Sequence, residues 1–135
     1  MTKVRILLAD DHPRFPQLVA SLLGPSFEVV GQVADGRSLC EAAGNLKPDV
    51  IVTDISMPIL DGIAAADELK KSSSKSKIIF LTAHADPDFV SACLATGALG
   101  FVLKTRMATD LVLAIREALL GRIFVSPPLG DTLRG

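Results

Sequence analysis

Tryptophan and tyrosine are missing altogether, and six phenylalanines supply every aromatic side chain. A core must therefore be built from Val, Ile, Leu and Ala. Excess charge is missing too: 14 basic residues face 15 acidic ones, for a formal net charge of −1. Nucleic-acid binding normally leaves a basic stripe or patch, so this chain by itself is not expected to bind nucleic acid. Long apolar runs are absent, because Asp, Lys, Pro or Ser interrupts each one well before the roughly 18 residues of a membrane span. The run Ile6–Ala9 after Lys3 and Arg5 stops at Asp10, short of the roughly 7–15 residues of a secretory segment. Cysteine is scarce, and Cys40 and Cys93 form no C-x-x-C pair. The simplest reading is two small buried hydrophobes in a reducing cytoplasm.

What is present suits one domain. A chain of 135 residues with 49% hydrophobic side chains can bury a core without disulfide or metal staples. Its mean hydropathy of +0.42 is high for a soluble protein, as a parallel sheet covered on both faces requires. Apolar runs at Val4–Ala9, Glu28–Val33, Val50–Thr53, Lys77–Leu81 and Gly100–Leu103 lack alternation and read as strands buried on both faces. Between them lie stretches with three- and four-residue apolar spacing. These are Phe15/Leu18/Leu22, Leu39/Ala42 or Ala43/Leu46, Ile63/Ala66/Leu69, Phe89/Val90/Cys93/Leu94 and Leu111/Ile115/Ala118/Leu119. Asp35, Asp86-Pro87 and Thr109 open helices, and Gly24, Gly97 and Gly121 close them. Pro16 either delays the first helix or bends it. Five βα units result, with right-handed crossovers and helices on both faces. The tail after Gly121 has no helical period and reads as a linker.

In such a sheet, ligands sit outside the carboxyl ends of the strands. Asp10 and Asp11 follow the first strand there, Asp54 follows the third, Thr82 ends the fourth and Lys104 follows the fifth. A lone Asp after a strand is usually a cap or a solvated loop residue. Three carboxylates converging on one edge repel one another unless a cation relieves them, and hard oxygen ligands suit Mg²⁺.

The joint pattern resembles bacterial two-component response-regulator receiver domains. It comprises Asp10-Asp11, then Asp54-Ile55-Ser56-Met57-Pro58-Ile59-Leu60-Asp61-Gly62, Leu81-Thr82-Ala83 and Gly97-Ala98-Leu99-Gly100-Phe101-Val102-Leu103-Lys104. The resemblance covers residues 3 to about 121. It implies an α/β, CheY-like (flavodoxin-like), doubly wound five-stranded parallel sheet in the order 2-1-3-4-5. It also implies Asp54 as phosphoacceptor for a histidine kinase, with the chain catalysing only its own phosphorylation and dephosphorylation. Asp11, Asp54 and the Ser56 backbone carbonyl would ligate Mg²⁺, and Asp10 would act mostly through water. Thr82 would hydrogen-bond the phosphoryl group, Lys104 would pair with it, and Phe101 would be the switching aromatic. Ser56 and His84 stand at two variable positions that tune hydrolysis. Met57-Pro58 and Asp61-Gly62 would shape the turn beside Asp54, with Gly62 supplying backbone freedom. Thr105 stands where many receivers have proline.

Rival readings fail on particular residues. Walker A needs Gly before its lysine, and Leu103 stands there. A dehalogenase-type phosphatase needs a second Asp two residues after the first, where Ser56 stands. A flavodoxin would need a hydroxyl-rich phosphate loop and rings to stack on the flavin. The stretch Gly121–Pro127 and Asp10-Asp11-His12-Pro13 are similar to NarL/FixJ-type regulators, where a linker leads to a helix-turn-helix domain. The expected organisation is thus a receiver at residues 1–121 and a linker at 122–135, leading to a DNA-binding domain absent from this chain. A stand-alone receiver acting through a protein partner is the alternative. The resemblance further implies a homodimer through helix 4, strand 5 and helix 5, or through helices 1 and 5. Val112 and Leu119, seven apart on the last helix, sit at the edge of its apolar stripe.

Overall fold

The computed structural model describes residues 3–83 and 86–127. Strands and helices alternate: β1 (Val4–Ala9), α1 (Phe15–Leu22), β2 (Phe27–Val33), α2 (Gly36–Leu46), β3 (Val50–Thr53), α3 (Gly62–Lys71), β4 (Lys77–Thr82), α4 (Pro87–Ala95), β5 (Gly100–Leu103), α5 (Met107–Leu119) and β6 (Phe124–Val125). The sheet is parallel throughout, in the order β2-β1-β3-β4-β5-β6. The CheY-like α/β class is as expected, but the sheet has six strands rather than five. Phe124 N donates to Leu99 O and Ser126 N to Phe101 O, both at 2.9 Å, so the supposed linker satisfies the open edge of β5.

Side-chain alternation along the strands builds two cores. Leu7, Ala9, Ile51, Phe80, Phe101 and Leu103 face α2, α3 and α4, through Leu39, Ala65, Leu69, Val90 and Cys93. Ile6, Leu8, Val50, Val52, Ile79, Leu81 and Val102 face α1 and α5, through Phe15, Val19, Leu111, Ala114 and Ile115. Both faces of each central strand are dry, which accounts for the runs without alternation. Burying each Val, Leu, Ile or Phe contributes about 1.5–3 kcal/mol, so the layering dominates stability.

Caps set several boundaries. Asp35 accepts from Ser38 N at 2.7 Å, and Asp61 and Asp86 accept from Ala64 N and Asp88 N, each at 2.8 Å. Gly97 and Gly121 take the left-handed backbone that ends α4 and α5, at φ 89° and 77°. Pro16 is the second residue of α1 and marks a delayed start, since an interior proline would break the helix. Two expectations shift, and one holds. Val19 rather than Leu18 is buried, with Leu18 exposed on the outer face of α1. Helix α5 begins at Met107 rather than Thr109, because a 3₁₀ turn at Lys104–Arg106 runs directly into it. Leu119 is exposed and Val112 half-buried, as their place at the edge of the apolar stripe implies. No described helix is long and apolar enough to cross a membrane.

Candidate functional site

The sheet's hydrogen bonds run one residue past the strands and fix the acidic residues at its carboxyl edge. Asp10 N donates to Val33 O at 3.0 Å, and Asp54 N donates to Ala9 O at 2.9 Å. Asp10, Asp11 and Asp54 thereby each bring a carboxylate oxygen to within 4.8 Å of the others. Asp10 and Asp54 are buried, and Asp11 is open to solvent. Ile55 N donates to Asp54 Oδ1 at 2.7 Å and His12 N to Asp10 Oδ1 at 2.8 Å, so each buried acid is aimed by a backbone amide.

Lys104 reaches the same point from the end of β5. Its Nζ lies 2.8 Å from Asp10 Oδ2 and 3.0 Å from Asp54 Oδ2. The Phe15 ring covers the ammonium, with its centroid 4.1 Å from Nζ. Burial alone would push the lysine's pKa down; the adjacent carboxylates of Asp10 and Asp54 more than offset this and hold it above its ordinary value. Asp10 Oδ2 is sealed from solvent and has the ammonium beside it, but no well-directed hydrogen bond. Two of the three carboxylates thus share one ammonium, and Asp11 has no part in it. That donor set, all hard oxygen with negative charge in surplus, fits a divalent cation of the Mg²⁺ kind.

The structure gathers Asp10, Asp11, Asp54 and Lys104 into one cluster. Thr82 is buried at the last position of β4, paired with Leu103 at the end of β5. Phe101 is fully buried inside β5, opposite Phe80. Ser56 is exposed in the loop after Asp54. His84 lies outside the described residues.

Gly62 serves the site for a different reason than expected. Its φ is not positive; instead a Cβ there would collide with the Asp54 backbone carbonyl. Space, not conformational freedom, demands glycine. Gly36 likewise gives room to the carbonyl of Leu60. In the same loop Ile59 adopts a left-handed φ of 71° and is 81% exposed, a strained setting for a β-branched residue.

Phe15 was legible only as a core residue, since its contact with Lys104 joins elements far apart in sequence. Asp110 and Ser126 were not legible as a pair. Asp110 is buried at the start of α5, where Ser126 Oγ donates to its Oδ2 at 2.8 Å and Arg106 Nε at 2.9 Å. A spacing signal existed, because Asp110 precedes the buried Ala114 and Ala118 at four-residue intervals. Both cysteines are free, and burial raises their pKa to about 11 for Cys40 and about 12 for Cys93. Neither is a reactive thiolate near neutral pH.

Residues 6–116 match the response regulator receiver domain family. The chain is 39% identical over 120 residues to the transcriptional regulatory protein LiaR of Bacillus subtilis strain 168, covering 87% of this chain and 57% of that protein. It is 33% identical over 130 residues to the nitrate/nitrite response regulator protein NarL of Escherichia coli strain K12, covering 95% of this chain and 60% of that protein. The chain therefore spans about three fifths of the length of the curated relatives it matches. Among solved structures, the isolated receiver domain of RcsB from Salmonella enterica serovar Typhimurium with phosphomimetic BeF3⁻ superposes with a TM-score of 0.87 at 30% identity, covering 96% of this chain and 98% of that one.

Proposed function

This chain belongs to the response regulator receiver domain family, of the NarL/LuxR type, and from that premise we propose that it is a phosphorylation switch with Asp54 as its acceptor. The observation that carries the reading is the cluster itself, three carboxylates together at the carboxyl edge of the sheet with one ammonium paired to two of them. A carboxylate oxygen of Asp54 attacks the phosphorus of a phosphohistidine on the kinase. The P–N bond breaks, its electron pair returns to the imidazole nitrogen, and the new P–O bond makes an acyl phosphate. Asp11, Asp54 and the Ser56 carbonyl would hold Mg²⁺, with Asp10 behind them. The bound ion would supply neutralisation of the charge on the transferring oxygens.

The chain's own residues do the rest. Ile55 N fixes the orientation of the Asp54 carboxylate. Lys104 releases Asp54 Oδ2 and keeps its charge beside the incoming phosphoryl oxygens. Thr82 donates its hydroxyl to the phosphoryl group, and Phe101 follows the space that movement opens. Ser56 and His84 tune the lifetime of the acyl phosphate. The protein is a signalling component rather than a classical enzyme.

Residues 1–121 would form the switch and 122–135 the route to a DNA-binding output of the kind named in its relatives, acting in the cytoplasm. Exposed Leu18 on α1 and Leu113 on α5 favour those two helices as the face for a second copy. The test is incubation with acetyl phosphate and Mg²⁺, read by intact mass. The native chain gains one phosphoryl group and Asp54→Ala gains none; equal modification of both refutes the assignment.

A further inference from the structure

We propose that Asp110 and Ser126 are positioning residues for Lys104, so that the segment after the last helix belongs to the scaffold of the phosphorylation site. The inference rests on the reading of Lys104 as the cation that meets the phosphoryl group. It begins from two buried polar residues, Asp110 and Ser126, that the phosphorylation chemistry does not use.

Lys104 opens a 3₁₀ turn, and that turn is held on both sides by one network. Before the lysine, Leu103 N donates to Ser126 Oγ at 3.1 Å. Ser126 Oγ in turn donates to Asp110 Oδ2 at 2.8 Å. After the lysine, Arg106 Nε donates to the same Asp110 oxygen at 2.9 Å. Thr109 Oγ1 lies 3.0 Å from Asp110 Oδ1 and completes the shell. The backbone before Lys104 and the Arg106 side chain after it are therefore tied to a single carboxylate.

The strand ladder explains why a side chain is needed. β6 runs alongside β5 until Ser126 N donates to Phe101 O, and the next group of the ladder is then the N–H of Leu103 on β5. Leu103 N at the strand end takes the Ser126 hydroxyl as its acceptor. Ser126 is fully buried, so water cannot replace that hydroxyl freely. Removing it loosens the turn that aims the ammonium at Asp54, while the hydrogen bonds that fix Asp10 and Asp54 come from β1, β2 and their own loops.

The test uses the 135-residue chain with Ser126→Ala, Ser126→Thr and Asp110→Asn, each first checked for a folded amide spectrum. Without any phosphodonor, NMR reads the Lys104 ε-methylene and Nζ signals and the exchange of the Leu103 amide. Ser126→Ala and Asp110→Asn are expected to move the lysine signals toward those of a free side chain and to speed the exchange. Ser126→Thr, which keeps the hydroxyl, is expected to restore both. With acetyl phosphate and Mg²⁺, Ser126→Ala should slow modification by about tenfold without changing its dependence on acetyl phosphate concentration. That is less than the roughly 100-fold that a displacement of about 1 Å can cost. Native lysine signals and a native rate in Ser126→Ala, with only the tail amides exchanging faster, would overturn the proposal and leave a plain clamp on the tail. If the native chain takes no phosphoryl group, the functional reading falls, and the lysine signals still decide the positioning.

Discussion

Two buried acidic sites lie side by side at the carboxyl end of β5, and their accounting of charge is opposite. Around Asp54, three carboxylates lie together, one ammonium, that of Lys104, pairs with two of them, and Asp10 Oδ2 lacks a well-directed donor. Around Asp110, one carboxylate receives Arg106, Thr109 and Ser126. A site short of positive charge is poised to take a cation, whereas a site whose every oxygen is matched has nothing left to bind. The contrast separates a ligand site from a structural one without appeal to motif.

The largest expected effect comes from breaking the satisfied site. Asp110→Asn keeps the shape and removes the charge, and is expected to cost about 2 kcal/mol in urea unfolding near neutral pH. The loss should depend on pH. Burial raises the carboxyl's pKa, but hydrogen bonds from Ser126, Arg106 and Thr109 outweigh it and hold the group below its ordinary value. Stabilisation from a depressed carboxylate is full above the unfolded value and disappears as pH falls through the folded one. The gap between native and Asp110→Asn chains should therefore close on acidification below the usual carboxylate range. A gap that persists there would mean that shape, not charge, is what Asp110 contributes.

A smaller effect concerns the backbone. The strain at Ile59 lies in the loop beside Asp54, while Asp110 sits in regular helix. Relief of a left-handed β-branched residue is worth roughly 1–3 kcal/mol, partly offset by the extra freedom of glycine in the unfolded chain. Ile59→Gly should therefore raise stability by about 1 kcal/mol in the same urea assay. An unchanged or lowered midpoint would show that the loop is not strained.

How much of this was legible in the sequence depends on whether the signal was local. Strand runs such as Val50–Thr53 carry their own mark, because burial on both faces removes alternation. Asp10, Asp54 and Lys104 were placed together by topology, since every parallel strand ends at the same edge. Ser126 was not, because a polar residue between Val125 and Pro127 looks like linker until β6 is seen to pair with β5. Leu18 and Val19 show a second limit. Adjacent apolar residues differ by about 100° around a helix, and only packing decides which one turns inward. Gly62 shows a third, since crowding by the Asp54 carbonyl is a contact between turns rather than a conformational preference.

The smallest expected effect is at Asp11. Removing one of three like charges without divalent metal should raise stability by a few tenths of a kcal/mol, about the scale of an exposed charge interaction. A thermal melt of Asp11→Ala in EDTA reads it. A clear destabilisation would make Asp11 a structural cap instead.

The most direct test of the contrast is a set of thermal melts with and without Mg²⁺ on the native chain, Asp54→Ala and Asp110→Asn. Binding to the folded state raises the melting temperature by mass action. The account predicts that Mg²⁺ raises it for the native chain and at least as much for Asp110→Asn, from a lower start, and that Asp54→Ala loses most of the shift. A shift that survives Asp54→Ala, or one that vanishes with Asp110→Asn, would contradict it.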